Sequence, residues 1–79
     1  MTSANDRRHR IQRYPKPLVI QAINDTIYGE DNVRIVTNLF VGNLTHRQVA
    51  GMEKMDERTL YKRLDHIMPT MEDYLHKLN

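Results

Sequence analysis

The chain contains no cysteine, although it has only 79 residues. A domain of this size buries only about 60–65% of the surface of its unfolded chain, and many small domains add disulfides to compensate. The missing cysteines exclude disulfides, thiolate catalysis and cysteine-based zinc or iron–sulfur sites. We therefore expect one small domain held together by a single apolar core, supplied by the 39% of residues that are hydrophobic.

No segment is apolar enough to predict a membrane span or a secretory signal. The longest unbroken apolar runs have three residues, as at 18–20. A helix needs about 20 such residues to cross a bilayer. The N-terminal residues are basic, with no apolar segment behind them. We expect a cytoplasmic protein without a membrane partner.

The first 16 residues are basic and carry few apolar side chains. Residues 1–17 have a net charge of +4, whereas residues 18–79 have a net charge of −2. The large apolar side chains after Met1 are Ile11 and Tyr14, too few to offset the entropy of ordering the segment. Pro15 and Pro17 stiffen its exit. The pattern predicts a flexible basic arm over residues 1–16, followed by a helical domain over residues 17–79.

Apolar spacing and helix-ending residues divide the rest of the chain into helices. A first helix is predicted to begin at Pro17, which is tolerated in a first turn, and to end at Gly29. Asp31 is predicted to cap a second helix that ends at Gly42. Apolar residues recur every three or four positions in both.

Three further helices follow from capping residues and from Pro69. Thr45 and Gln48 have the spacing of a capping box, which predicts a helix over residues 46–53. Asp56 is predicted to cap the next helix, which Pro69 ends. Thr70 is predicted to cap a last one. With no strand-like alternation of useful length, the sequence predicts an all-α fold of four to five short helices.

Residues 42–64 have the pattern of a helix-turn-helix. Two helices separated by a few residues, with a small residue where they cross, are typical of this motif. Ala50 is that small residue, and Leu60 and Leu64 would seat the second helix. Arg58, Tyr61 and Lys62 are spaced three and four residues apart and lie off the leucine stripe, which places them on the outer face.

The same window resembles region four of bacterial sigma factors. The residues that carry the resemblance are Gly42-Asn43-Leu44-Thr45, Gln48-Val49-Ala50, Met55-Asp56-Glu57-Arg58-Thr59-Leu60 and Lys62-Arg63-Leu64. It is also similar to the helix-turn-helix of LuxR-type regulators, to the C-terminal helices of Fis-like proteins and to small phage regulators with sigma-like domains. Lys54 stands where these families usually have a glycine in the turn.

The resemblance implies a protein that reads duplex DNA with its second motif helix, about residues 56–68. The matching positions for base contacts in the major groove are Glu57, Arg58, Tyr61 and Lys62. The matching positions for the phosphate backbone, at the start of the first motif helix, are Thr45, His46 and Arg47. Each set has a simpler interpretation, because most charged helix faces are only solvated and Tyr61 could cover the edge of the core.

The arginines of the predicted arm are further candidates for DNA contact. Arginines on mobile arms bind A·T-rich minor grooves or neighbouring phosphates, and the candidates are Arg7, Arg8, Arg10 and Arg13. The alternative is an unstructured tail. A homodimer is also expected, because one short recognition helix supplies little specific affinity. Its predicted interface is the apolar face of the last helix, Met71, Tyr74, Leu75 and Leu78, which could instead pack back on the core of its own subunit.

Nothing in the sequence predicts an enzyme. The histidines lack the spacing of a metal-ligand set, and adjacent acidic pairs such as Asp56-Glu57 point in different directions on a helix. We expect no cofactor and no metal. The sequence thus predicts a small DNA-binding transcriptional regulator of bacterial or phage type. The alternative is a protein-interaction module, such as a sigma-like factor that binds RNA polymerase or a phage assembly or packaging factor.

Overall fold

The computed structural model of the protein describes residues 4–78, and predictions for residues 1–3 and 79 lie outside this range. The described chain forms five helices and no strand, which confirms the all-α prediction. The helices are α1 (Ala4–Gln12), α2 (Lys16–Thr26), α3 (Glu30–Phe40), α4 (His46–Met52) and α5 (Glu57–Leu78).

The helices pack around one apolar core. Helix α5 packs against α2 and α4, and α3 packs against α1, α2 and α4. The side chains that are fully excluded from water come from all five helices: Ile11, Val19, Ala22, Ile23, Ile35, Val36, Leu39, Val49, Leu60, Met68, Met71 and Leu75. Because every helix contributes a buried side chain, residues 4–78 form one unit.

The loop residues between helices have partly different roles from those that the sequence predicts. Helix α2 ends at Thr26 with Ile27 as its C-cap, so Gly29 does not end it as predicted. Gly29, with φ of +91°, is the residue before α3, and its lack of a Cβ permits this backbone. The prediction that Asp31 caps α3 is wrong. Asp31 lies in the first turn of this helix, and Gly29 occupies the N-cap position. Asn43 takes a left-handed φ of +58° between α3 and α4, a conformation that asparagine tolerates.

Residues 4–12 form a helix, where the sequence predicts part of a flexible arm. Ile11 is 1% exposed and belongs to the core. The guanidinium groups of Arg7 and Arg10 pair with carboxylates on α5. The prediction of a flexible arm is wrong here because it depends on the low apolar content of the segment. The ion pairs with Asp65 and Glu72 on α5 cannot be deduced from local sequence.

Pro69 does not end a helix, and Thr70 does not begin one. Helix α5 runs from Glu57 to Leu78 with Pro69 inside it. Proline removes one backbone donor and usually kinks or breaks a helix. Here Pro69 lies on the exposed side, while Met68 and Met71 on either side of it are fully buried. Burial of both flanking turns in one core keeps the helix continuous.

The predicted dimer face is part of the subunit's own core. Met71 and Leu75 are 0% exposed and therefore cannot contact a second copy. Tyr74 is half-buried, and its hydroxyl group bonds to Asp25 and Gln21 of α2. Leu78 alone of the four is exposed, at 44%. The alternative interpretation of this face, packing within one subunit, is the one found.

Candidate nucleic-acid interface

Helix α4 begins with the capping box predicted from Thr45 and Gln48. The hydroxyl oxygen of Thr45 accepts a hydrogen bond from the backbone N–H of Gln48 at 3.1 Å. The backbone N–H of Thr45 donates in return to the Gln48 side chain at 2.9 Å. Two N-terminal donors are thereby satisfied, which fixes where α4 starts relative to the preceding loop.

A four-residue turn, residues 53–56, connects α4 to α5. Lys54 adopts the left-handed conformation, with φ of +57°, at the position where the resembling families have glycine. The N–H of Met55 donates to the carbonyl of Ala50 at 3.0 Å and closes the turn. Ala50 is 3% exposed, which agrees with its predicted place between the two helices. Helices α4 and α5 are thus joined by a short closed turn in which Lys54 has a backbone conformation that favours glycine.

Asp56 caps α5, as predicted. Its carboxylate accepts a hydrogen bond from the backbone N–H of Thr59 at 2.9 Å. That bond is the main reason why the pKa of Asp56 lies below its ordinary value. The carboxylate is therefore engaged with the helix terminus, although it sits beside the predicted groove face.

An ion pair that the sequence does not indicate, between Arg34 and Glu53, links the turn of residues 53–56 to α3. The guanidinium group of Arg34 donates to both carboxylate oxygens of Glu53, at 2.7 Å and 2.6 Å, and to Asp31 at 3.0 Å. These bonds raise the pKa of Arg34 and lower that of Glu53. The acid in the turn is therefore neutralised, and its side chain is only 7% exposed.

The first turns of α5 have one buried and one exposed face. Leu60 and Leu64 are 0% and 3% exposed, as predicted for the residues that seat this helix. Arg58 and Lys62 are exposed one turn apart on the other side. Neither makes an ion pair with any residue in the range 4–78. Both side chains are exposed to solvent, and Lys62 is near enough to Asp56 for its charge to help lower the pKa of that carboxyl.

The remaining acids beside this face are occupied by other contacts. Asp65 pairs with Arg7 at 3.1 Å. Glu57 is half-buried, and its carboxylate lies 3.5 Å from the hydroxyl group of Tyr61, which is also half-buried. The predicted outer-face residues thus divide into two exposed cations and a partly covered Glu57–Tyr61 pair.

His46 does not have the position predicted for a phosphate contact. It is 8% exposed, and its ring packs on the ring of Tyr61 with centroids 5.2 Å apart. Burial, and then the charge of Arg8, lower the pKa of His46, whereas Glu57 raises it. The ring is a packing element between α4 and α5. Thr45 and Arg47 on either side of it are exposed, as a backbone contact requires.

The four arginines of the predicted arm have different environments. Arg7 and Arg10 form ion pairs with α5 and are not free cations. Arg8 is half-buried and close enough to His46 to affect its pKa. Arg13 is exposed beyond the end of α1. The structure therefore brings part of the basic segment beside the α4–α5 pair instead of leaving it as an arm.

Lys54 is one basic residue that the sequence analysis did not assign to the interface. Its side chain is exposed in the turn, between the exposed cations Arg47 on α4 and Arg58 on α5. The sequence signal at this position is a lysine where the resembling families usually have glycine. We define the candidate surface as the exposed residues Thr45, Arg47, Lys54, Arg58 and Lys62. Lys54 is the fourth cation of this surface.

Comparison with known proteins finds no family model, curated protein or solved structure that matches this chain. Over the part of the chain that the structure describes, no group of three or more histidine, aspartate or glutamate side chains is arranged to hold a metal ion. None of the five described helices combines the length and the apolar character needed to cross a bilayer.

Proposed function

We propose that this protein is a small regulator of transcription that binds double-stranded DNA with its α4–α5 pair. The observation that carries the proposal is the exposed pair Arg58 and Lys62 on α5, opposite the buried Leu60 and Leu64. Of the neighbouring acids, Glu53 pairs with Arg34, Asp56 caps α5, and Glu57 lies beside the hydroxyl group of Tyr61. Cationic side chains on an exposed helix that follows a short turn suit the phosphates and base edges of a major groove.

The residues of the candidate surface have distinct roles in this proposal. Arg58 donates to the O6 and N7 atoms of a guanine, and Lys62 contacts either a base edge or a phosphate. Thr45, Arg47 and Lys54 contact the phosphate backbone and set the register of α5 in the groove. Glu57 can accept from the N4 amino group of a cytosine where Tyr61 leaves it accessible.

The test is duplex binding by the double variant Arg58→Ala, Lys62→Ala. Fluorescence anisotropy with a random duplex, repeated at several salt concentrations, measures the slope of log K against log salt. Each lost phosphate contact lowers that slope by about 0.9. On a site selected from random sequences, the loss of Arg58 alone costs about 1–3 kcal/mol more than on random duplex.

The matched control is Lys16→Ala, Lys77→Ala, which removes the same charge from two exposed positions outside the α4–α5 turn. If the candidate surface binds DNA, this control variant should have the same slope of log K against log salt as the unmodified protein. Equal losses in the two double variants would mean that only overall charge matters, and no duplex binding at low salt would rule out the proposal. An equal loss for Arg58→Ala on selected and random duplexes would make Arg58 a phosphate contact.

A homodimer remains part of the proposal, because two copies of α5 would supply the specific affinity that one lacks. Its contact surface has to lie outside Met71 and Leu75, which are fully buried. Sedimentation with and without duplex measures whether the copies associate in solution or only on DNA.

One observation favours a protein partner as the second candidate function. Tyr28 is 80% exposed between α2 and α3. An open groove adjoins it on α3, lined in part by Gly29, Val33 and Thr37. Large exposed aromatic side chains are enriched in protein interfaces. Retention of partner binding in Arg58→Ala, Lys62→Ala and its loss in Tyr28→Ala would favour this function, with RNA polymerase or a phage assembly protein as the class of partner.

A further inference from the structure

Helix α1 is joined to α5 by a cluster of two arginines and two carboxylates. The guanidinium group of Arg7 contacts Asp65 at 3.1 Å and Glu72 at 2.7 Å. Arg10 contacts the other carboxylate oxygen of Glu72 at 2.9 Å. Glu72 therefore accepts two arginines, and Arg7 bridges two acids.

The centre of this cluster is shielded from water. The Arg7 and Glu72 side chains are 16% and 23% exposed. Nε of Arg7 and Oε1 of Glu72 lie 2.7 Å apart and are inaccessible to solvent, and neither atom has a hydrogen-bond partner in good geometry, so the contact between them is an ion pair. A charge buried in this way destabilises the fold unless its oppositely charged partner is present. Removing one partner leaves the other as an uncompensated buried charge. The cluster is therefore far more sensitive to loss of one member than an exposed ion pair.

The cluster also spans Pro69. Asp65 is four residues before this proline, and Glu72 is three residues after it. Proline has no N–H, so the carbonyl of Asp65 lacks its usual partner inside the helix. Arg7 additionally places its Nη1 3.5 Å from the carbonyl oxygen of Leu64. Arg7 thus contacts the turns of α5 on both sides of Pro69, where the helix lacks one backbone hydrogen bond.

Few of the described side chains of helix α1 are buried. Among residues 6–12, whose side chains the structure describes, Ile11 alone is buried, and the others are exposed or half-buried. A nine-residue helix is unstable by itself in water. Among the described side chains of α1, the buried Ile11 and the arginine–carboxylate cluster join this helix to the rest of the fold.

We propose that Arg7, Arg10, Asp65 and Glu72 form a conformational latch. With the latch closed, α1 is docked and α5 is continuous across Pro69. With the latch open, α1 detaches, the helix loosens around Pro69, and Arg7 and Arg10 become available to an anionic partner. Resting on the function proposed above, that partner is duplex DNA, whose phosphates then replace the carboxylates of Asp65 and Glu72.

The test compares Glu72→Gln with Asp73→Asn by hydrogen exchange of the full chain. Both variants remove one negative charge from the same turn, but Asp73 is exposed and makes no ion pair within the described residues. Glu72→Gln should speed amide exchange in α1 and around Pro69 by about tenfold or more, because it leaves Arg10 without its carboxylate and Arg7 with Asp65 alone. Asp73→Asn should leave both regions as protected as in the unmodified protein.

Arg7→Met serves as the second variant, since it keeps an apolar stem against the core and removes the charge. It should loosen the same two regions while the core amides of α2 and α3 stay protected. Unchanged exchange in α1 in both Glu72→Gln and Arg7→Met, with Asp73→Asn as reference, would overturn the latch. Uniform loss of protection in all five helices would also overturn it, because the cluster would then be an ordinary part of one cooperative core.

Duplex binding separates this inference from the proposed function. Glu72→Gln should steepen the salt dependence by about 0.9 for each arginine that gains a phosphate, beyond the effect of Asp73→Asn. Faster exchange without a change in slope would support the latch and overturn its link to DNA. Exchange is measured without DNA, so the latch is tested even if the protein binds no duplex.

Discussion

Two basic regions of this small protein use their charge in opposite ways. In α1, Arg7 and Arg10 face carboxylates on α5 and are neutralised within the fold. At the start of α5, Arg58 and Lys62 face solvent, and the nearby Asp56 is engaged as a helix cap. The local sequence does not distinguish the two, because both are runs of arginine or lysine with a few acids between them.

The difference teaches that the availability of a charge depends on the facing helix. The basic segment 1–17, at +4, has the larger formal charge, yet part of it is used to hold α1 in place. The window 42–64, at +2, has the smaller charge, and of its acids Glu53 pairs with Arg34 on α3 while Asp56 caps α5. A count of charges along the chain therefore does not show which cations are paired within the fold.

The two regions also differ in how they are anchored. Helix α5 buries five side chains: Leu60, Leu64, Met68, Met71 and Leu75. Helix α1 buries Ile11 among its described side chains. Elements with few buried apolar contacts open locally at a lower free energy than the rest of a fold. We expect α1 to open by itself, whereas α5, apart from the loosening around Pro69 proposed above, should unfold only with the whole domain.

The largest expected effect tests this contrast with Leu60→Ala and Ile11→Ala. Truncating a fully buried leucine costs about 2–5 kcal/mol, which is a large share of the stability of a small domain. Leu60→Ala should shift the whole denaturation curve measured by circular dichroism. Ile11→Ala should cost less globally, because α1 can detach and limit the loss, and it should remove amide protection from α1 first.

Ile20→Ala is the control, since Ile20 is 44% exposed and should change stability by less than about 0.5 kcal/mol. Equal shifts for Ile11→Ala and Leu60→Ala, with α1 protected to the same extent as α5, would erase the distinction between the two regions.

The features that sequence analysis predicts correctly are all local. Thr45 and Gln48 are three residues apart, and their reciprocal bonds define the start of α4. Asp56 caps α5 by the same kind of short-range bond. The leucines at 60 and 64 lie on the buried stripe that their spacing predicts. Each of these depends on residues within one or two turns of each other, which periodicity and capping rules describe well.

The features that it misses depend on contacts between distant parts of the chain. Arg7 and Asp65 are 58 residues apart, and Arg10 and Glu72 are 62 apart. No local pattern predicts that a short basic segment folds onto the last helix, or that this helix continues through Pro69. The apolar face with Met71 and Leu75 is correctly identified as a face, but amphipathicity does not say which surface covers it.

A smaller effect is expected from Lys54→Gly, which examines the backbone of the candidate surface. A left-handed lysine costs about 1 kcal/mol relative to glycine, because its Cβ crowds the backbone at φ of +57°. The variant should therefore raise the free energy of unfolding by up to about 1 kcal/mol. Thermal and denaturant unfolding of the purified variant measure the gain.

Lys54→Ala is the matched control, because it removes the same charge and keeps the Cβ. It should give no comparable gain in stability, while both variants should weaken duplex binding equally if the lysine contacts a phosphate. Stabilisation of the same size in both variants would mean that charge repulsion, and not backbone strain, is the cost at this position.

The smallest effect concerns His46, where the charge of α1 meets the α4–α5 pair. Burial and the charge of Arg8 hold the pKa of His46 below its ordinary value of 6.5, so the unfolded chain takes up the proton first as the pH falls. Stability should thus be unaffected near pH 8, decrease as the pH drops through 6.5 towards the lower pKa of the folded protein, and then level off for this group. His46→Gln should reduce that decrease between pH 8 and 5, and Arg8→Gln should reduce it in part, since it removes the second cause. An identical profile for His46→Gln and the unmodified protein would show that protonating this ring is not opposed by the fold, and that α1 exerts no electrostatic effect on the motif helices.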